Sequence, residues 1–169
     1  MTYYIWLLRI VHIGAGVFWV GGTLMMTFFI APTIRATAEA GQRFVGHLMN
    51  NMKFSQRMSV AAGLTILAGF LLYWQDSSGF TSAWMRSGAG IGFGIGAGFA
   101  LIGFVYGLLI GRTTKAMAQL GAQFQSKPSD AQMTQMQELG KKQSSFSMTA
   151  SVMLILALIF MSIARYLVF

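Results

Sequence analysis

Apolar residues gather into four blocks along this chain, at positions 10–31, 60–74, 91–110 and 148–163, and the charged residues fall almost entirely between them. Most blocks approach the roughly 20 residues that a helix needs to cross a bilayer core. The pattern predicts an all-α integral membrane protein, a four-helix bundle forming one transmembrane domain.

The polar stretches are themselves helix-like. "RATAEAGQRFVGHLMNNMKFSQRM" and "RTTKAMAQLGAQFQ" are rich in helix formers and lack proline, so spans one and three are expected to run on as cytoplasmic helical extensions. Pro32 permits a kink at the first junction, and Lys127-Pro128-Ser129-Asp130 is the best turn, with Ser129 or Asp130 capping the helix that follows. The expected architecture is two long helical hairpins joined by the short, turn-like "QDSSGFTSAW".

The hairpins resemble each other. At an offset of 80, Gly14 and Gly16 meet Gly94 and Gly96, Thr33 meets Thr113 and Phe44 meets Phe124; at an offset of 90, Leu64 meets Leu154 and Phe70 meets Phe160. A duplication is expected, with one copy over about 1–78 and the other over about 79–169. Two spans per copy give both the same orientation and a pseudo-twofold axis along the membrane normal.

Composition agrees with the pattern: 55% of residues are hydrophobic and 9% charged, far from a soluble protein. The net charge of +8 could suggest nucleic acid, but its distribution argues against that. Nine basic residues (Arg35, Arg43, Lys53, Arg57, Arg112, Lys115, Lys127, Lys141 and Lys142) lie in the two long connections, and three (Arg9, Arg86 and Arg165) lie elsewhere. This positive-inside bias places the connections in the cytoplasm and both termini outside a bacterial inner membrane. The first block is too long for a signal-peptide core and lacks a basic leader, so it is expected to remain as a span.

Several chemistries are unsupported. With no cysteine there is no disulfide or thiolate site, and the only carboxylates, Glu39, Asp76, Asp130 and Glu138, lie outside the middle of the spans. No serine has a histidine and an acid suitably placed. "GAGIGFG" opens a span and follows no strand, so its nucleotide-like pattern carries no weight.

The first span holds the candidate site. Arg9, His12, Gly16, Trp19 and Thr23 recur at intervals of three and four and share one helix face. An ionisable group in a span normally points into protein or a polar cavity, so His12 is expected to face the bundle. Two uses are open: a neutral imidazole fastening two helices, or ligation of a metal or haem. Arg9 lies one turn outward of His12, where haem propionates would emerge, and Arg86 is expected at the same boundary. Alternatively these arginines snorkel within an aromatic belt. Span three carries glycines every four residues, Gly88, Gly92 and Gly96, then Gly103, Gly107 and Gly111, expected to form a tight helix interface or a flat groove for a planar cofactor. His47 lies on the inner side, too far from His12 to share one iron, so a sixth ligand would be a methionine, with Met161 the candidate, or water, or absent.

His12-Ile13, Trp19 seven residues after the histidine, and Gly21-Gly22 together resemble the first helix of the HemJ-type protoporphyrinogen oxidases and copper-resistance-D-like membrane proteins. The resemblance covers that helix and the four-span plan. It implies haem b associated with His12. With that cofactor the expected function is electron exchange with a quinone or a redox partner subunit; membrane lipids and a second copy of the chain are further expected partners. HemJ-type proteins carry a proline-arginine pair soon after the tryptophan; here Pro32 comes later and Thr33 follows it. The resemblance therefore points to the scaffold and cofactor more than to porphyrinogen oxidation. The alternatives are a non-catalytic accessory subunit of a membrane complex and a small-molecule or metal permease.

Overall fold

The computed structural model of the protein describes residues 2–124 and 128–168. It is an all-α bundle with no strand among the described residues. Four helical segments are long and apolar enough to cross a membrane: Tyr3–Ala36, Phe54–Asp76, Gly88–Gly121 and Asp130–Tyr166. Each exceeds its apolar block because the flanking polar stretches are helical too. Side chains such as Leu7, Ile10, Val17, Leu67, Leu101 and Leu158 point outward along these segments, as they would toward lipid tails.

The first span begins as α1 (Thr2–Met25). Pro32 has no N–H to return to the preceding turn, and the helix accommodates it by widening into a π turn over Met26–Ile30, where the Ala31 N–H reaches back five residues to the Met26 carbonyl. α2 (Ala31–Ala36) continues the same path. The expected kink is thus a local widening upstream of the proline. A sharper break follows at Ala38, whose φ of 45° is left-handed. There α3 (Ala38–Asn50) turns back so closely on α2 that a Cβ on Gly41 would lie 2.7 Å from the Ile34 Cα. His47 is exposed on α3.

α4 (Phe54–Asp76) has 23 residues, about 35 Å of helix, which just crosses a core of about 30 Å. α5 (Gly88–Gly121) and α6 (Asp130–Ile163) have 34 residues each, about 50 Å, and so reach well past the bilayer on the side of their shared turn. Ser87 caps α5 by accepting the Gly90 N–H, and Ser129 with Gln132 closes a reciprocal capping box at the start of α6. Lys127, the first residue of the expected turn, lies outside the described residues. Short 3₁₀ turns at Ala83–Arg86 and Ala164–Tyr166 complete the opposite end.

The closest packing is within two antiparallel pairs, α1 with α4 and α5 with α6; the pairs touch each other more sparingly, through α1–α6 and α4–α5. Trp19 of α1 is the keystone where they meet. It is 5% exposed, packs with Ala61 and Ala62 of α4 and Leu154 of α6, and stands edge-on to Phe104 of α5 at a ring separation of 6.4 Å. A second link joins the pairs through the π turn: the Ser151 hydroxyl, fully buried, donates to the Thr27 hydroxyl at 3.0 Å.

Candidate functional site

The face predicted on α1 is the face the structure uses. Gly16 lies against Thr65 of α4, its absent Cβ 3.5 Å from the Thr65 methyl. One turn away, His12 is half-buried with its imidazole on α4, Nδ1 lying 2.8 Å from the Thr65 carbonyl oxygen. A carbonyl can only accept, so Nδ1 carries the proton and donates. In its neutral form such a ring keeps a lone pair on Nε2.

Two features of α4 make this contact. Thr65 turns its hydroxyl back to the Ala61 carbonyl at 2.8 Å, which satisfies that group locally and leaves its own backbone oxygen to receive both a helix bond and the imidazole. Gly69, one turn further on, supplies the space. A Cβ there would lie 2.7 Å from His12 Cε1 and 2.9 Å from Nδ1, so the ring occupies the volume a side chain would need.

Nε2 has no hydrogen-bond partner among the described residues and is not among the enclosed unpartnered atoms, so it reaches the molecular surface. A backbone acceptor on one ring nitrogen with the other left open is the arrangement that orients a ligating histidine. The same bond also serves as a plain interhelical fastener.

Arg9 lies one turn outward on the same helix, half-buried, and has no carboxylate partner: the only ion pair among the described residues joins Arg43 to Glu39 at 2.6 Å. Arg86 is exposed in the 3₁₀ turn before α5. Trp19 is two turns inward of His12 and is spent on the core.

Gly92 and Met161 belong to the other seam. A Cβ on Gly92 would meet Leu167 Cδ1 at 2.8 Å and Ala164 Cα at 3.0 Å, so the last turn of the chain fills that space. Met161 is half-buried against Gly96, with Cγ and Cε 3.2 and 3.3 Å from the position of its absent Cβ. The contacts therefore draw His12 to α4 but Gly92 and Met161 to the α5–α6 interface. Gly103 likewise packs on Leu154, whereas Gly107 and Gly111 have nothing near them. Each step of four residues advances about 40° beyond a full turn, which carries the end of the glycine series off the seam.

No group of three or more His, Asp or Glu side chains among the described residues could cage a metal ion. Open grooves run along the bundle among the described residues. One, of about 330 Å³, lies in the α2–α3 bend against Phe29, Ile34 and Phe44; another, of about 500 Å³, lies between α1 and α4 against Phe18, Val60 and Leu64. His12 lines neither.

Sequence reasoning had found His12 but neither of its partners. A backbone oxygen leaves no trace in residue identity, and Gly69 is one of 20 glycines. The one available signal was geometric: antiparallel pairing of spans one and two brings a lone glycine in "LAGFLL" level with the histidine. Comparison of the chain with protein-family models, with curated proteins and with solved structures returns no match.

Proposed function

We propose that this polytopic membrane protein binds haem b through Nε2 of His12 and serves in electron transfer, exchanging electrons with a quinone or a partner redox subunit. One observation carries the reading: the Thr65 carbonyl fixes the proton on Nδ1, which leaves an oriented, unpartnered Nε2 at the surface of the α1–α4 seam. Arg9, with no carboxylate partner among the described residues and one turn outward, supports it as the group that would meet a propionate. When bound, haem supplies one-electron chemistry at its iron. The residues of this chain would set the ligand's tautomer, hold its ring against Gly69 and carry a guanidinium one helical turn away, on Arg9.

Met161 and Gly92 have no part in this version of the site, since both are taken up in α5–α6 packing. A second reading, a non-catalytic accessory subunit, draws on a specific observation as well: the His12 bond already joins α1 to α4, and neither groove touches the ring.

A visible spectrum separates the two. Protein purified in mild detergent from haem-replete cells is expected to show a Soret band that shifts on dithionite reduction, is lost in His12→Ala and persists in His47→Ala. A colourless preparation, or a band unchanged in a His12→Ala protein that still elutes as a folded species, refutes the haem reading and leaves the accessory role.

A further inference from the structure

The first turns of α4 place two unpaired cations above an apolar groove. Lys53 stands at the helix N-cap with a left-handed φ of 49°, and Arg57 follows one turn later; both are exposed, and neither has a carboxylate partner among the described residues. Below Arg57 runs the groove of about 500 Å³ between α1 and α4, with Gln56 and Arg57 at its polar end and Val60, Leu64 and Phe18 along its length. These three apolar side chains are 57%, 45% and 51% exposed.

Depth turns this juxtaposition into a recognition site. Because α4 only just crosses the hydrocarbon, its first turn lies at the level of lipid headgroups. Leu64, seven residues beyond Arg57, is about 10 Å deeper, among acyl chains. The groove is thus cationic where phosphates lie and apolar where tails lie.

We propose that this groove binds one anionic phospholipid, its phosphate held by Arg57 and Lys53 and an acyl chain lying along Phe18, Val60 and Leu64. Two cations favour a headgroup with net negative charge over a zwitterionic one, whose own ammonium would meet Lys53. Arg57 is suited to the phosphate because its planar fork donates two bonds at once, and Gln56 adds a neutral donor. The site is independent of His12 and of any cofactor.

Native mass spectrometry of the full chain, released from detergent with equimolar phosphatidylglycerol and phosphatidylcholine of identical tails, tests the proposal. The expected result is preferential retention of phosphatidylglycerol, falling about five-fold for each cation removed in Lys53→Gln and Arg57→Gln, following the roughly 1 kcal/mol that each basic residue contributes at an anionic surface. Val60→Trp, which obstructs the groove and keeps the charges, is expected to lower retention of both lipids. Arg112→Gln with Lys115→Gln, a basic pair elsewhere in the chain, is expected to leave the preference intact, and soluble glycerol phosphate is expected not to compete. Equal retention of the two lipids by the unaltered protein overturns the proposal. So does a preference that survives the Lys53/Arg57 double change, or one lost equally in the Arg112/Lys115 variant.

Discussion

Adding one methyl group at Gly69 tests the geometry around His12 directly. The new Cβ would stand 2.7 Å from Cε1 and 2.9 Å from Nδ1 of the imidazole, well inside contact distance. The ring can escape only by swinging away, and doing so breaks its 2.8 Å bond to the Thr65 carbonyl. Overpacking of this kind costs about 1–3 kcal/mol, and loss of an interhelical hydrogen bond in a membrane protein costs about 0.6–1.7 kcal/mol. Against these, alanine is favoured over glycine in a helix by about 1 kcal/mol. Gly69→Ala should therefore destabilise the bundle by about 2 kcal/mol, taking the middle of those ranges. In a His12→Ala background the ring is gone, the same methyl enters vacated space, and only the propensity gain of up to about 1 kcal/mol remains. The two substitutions should be coupled by roughly 3 kcal/mol, with a change of sign for Gly69→Ala between backgrounds. Unfolding of the four proteins of this cycle in mixed micelles of detergent and dodecyl sulfate measures the coupling. Equal effects of Gly69→Ala in both backgrounds would refute the contact.

Two further outcomes follow from packing elsewhere. Trp19→Ala removes the side chain that touches all three other spans; its cost should lie toward the low end of the usual 3–5 kcal/mol, because lipid replaces water around the loosened helices. Crosslinking between the α1–α4 and α5–α6 pairs should fall before helical circular dichroism does. Glycines on α5 should divide by what faces them: Gly103→Ala places a Cβ 2.9 Å from the buried Leu154 and should lower the melting temperature, whereas Gly107→Ala meets nothing within 4 Å and should be neutral or stabilising.

The glycine contrast also marks how far the one-dimensional reading reached. A four-residue spacing identified α5 as a close-packing helix, and Gly92, Gly96 and Gly103 do pack closely. Spacing alone treated Gly107 and Gly111 as equivalent to them, although helical drift turns both outward. The candidate site was legible to a similar extent: periodicity put His12, Gly16 and Trp19 on one inward face of α1, and the structure finds all three against α4 or the core. Thr27 and Ser151, which meet 124 residues apart, gave no signal at all.

The sequence by itself determined the spans, the polar ends and the buried face of the first helix, because each depends on local quantities: the length of an apolar run, the presence of a cap, the phase of a 3.6-residue repeat. The cap at Ser129 and the disturbance at Pro32 belong to the same class. Only the tertiary structure decided what that face meets. The proton on Nδ1 is set by a backbone carbonyl of another helix, the space for the ring by a glycine four residues further on, and the packing of Met161 against Gly96 by which helices pair. These depend on the register between helices, which packing across the whole bundle fixes and which no single stretch of chain encodes.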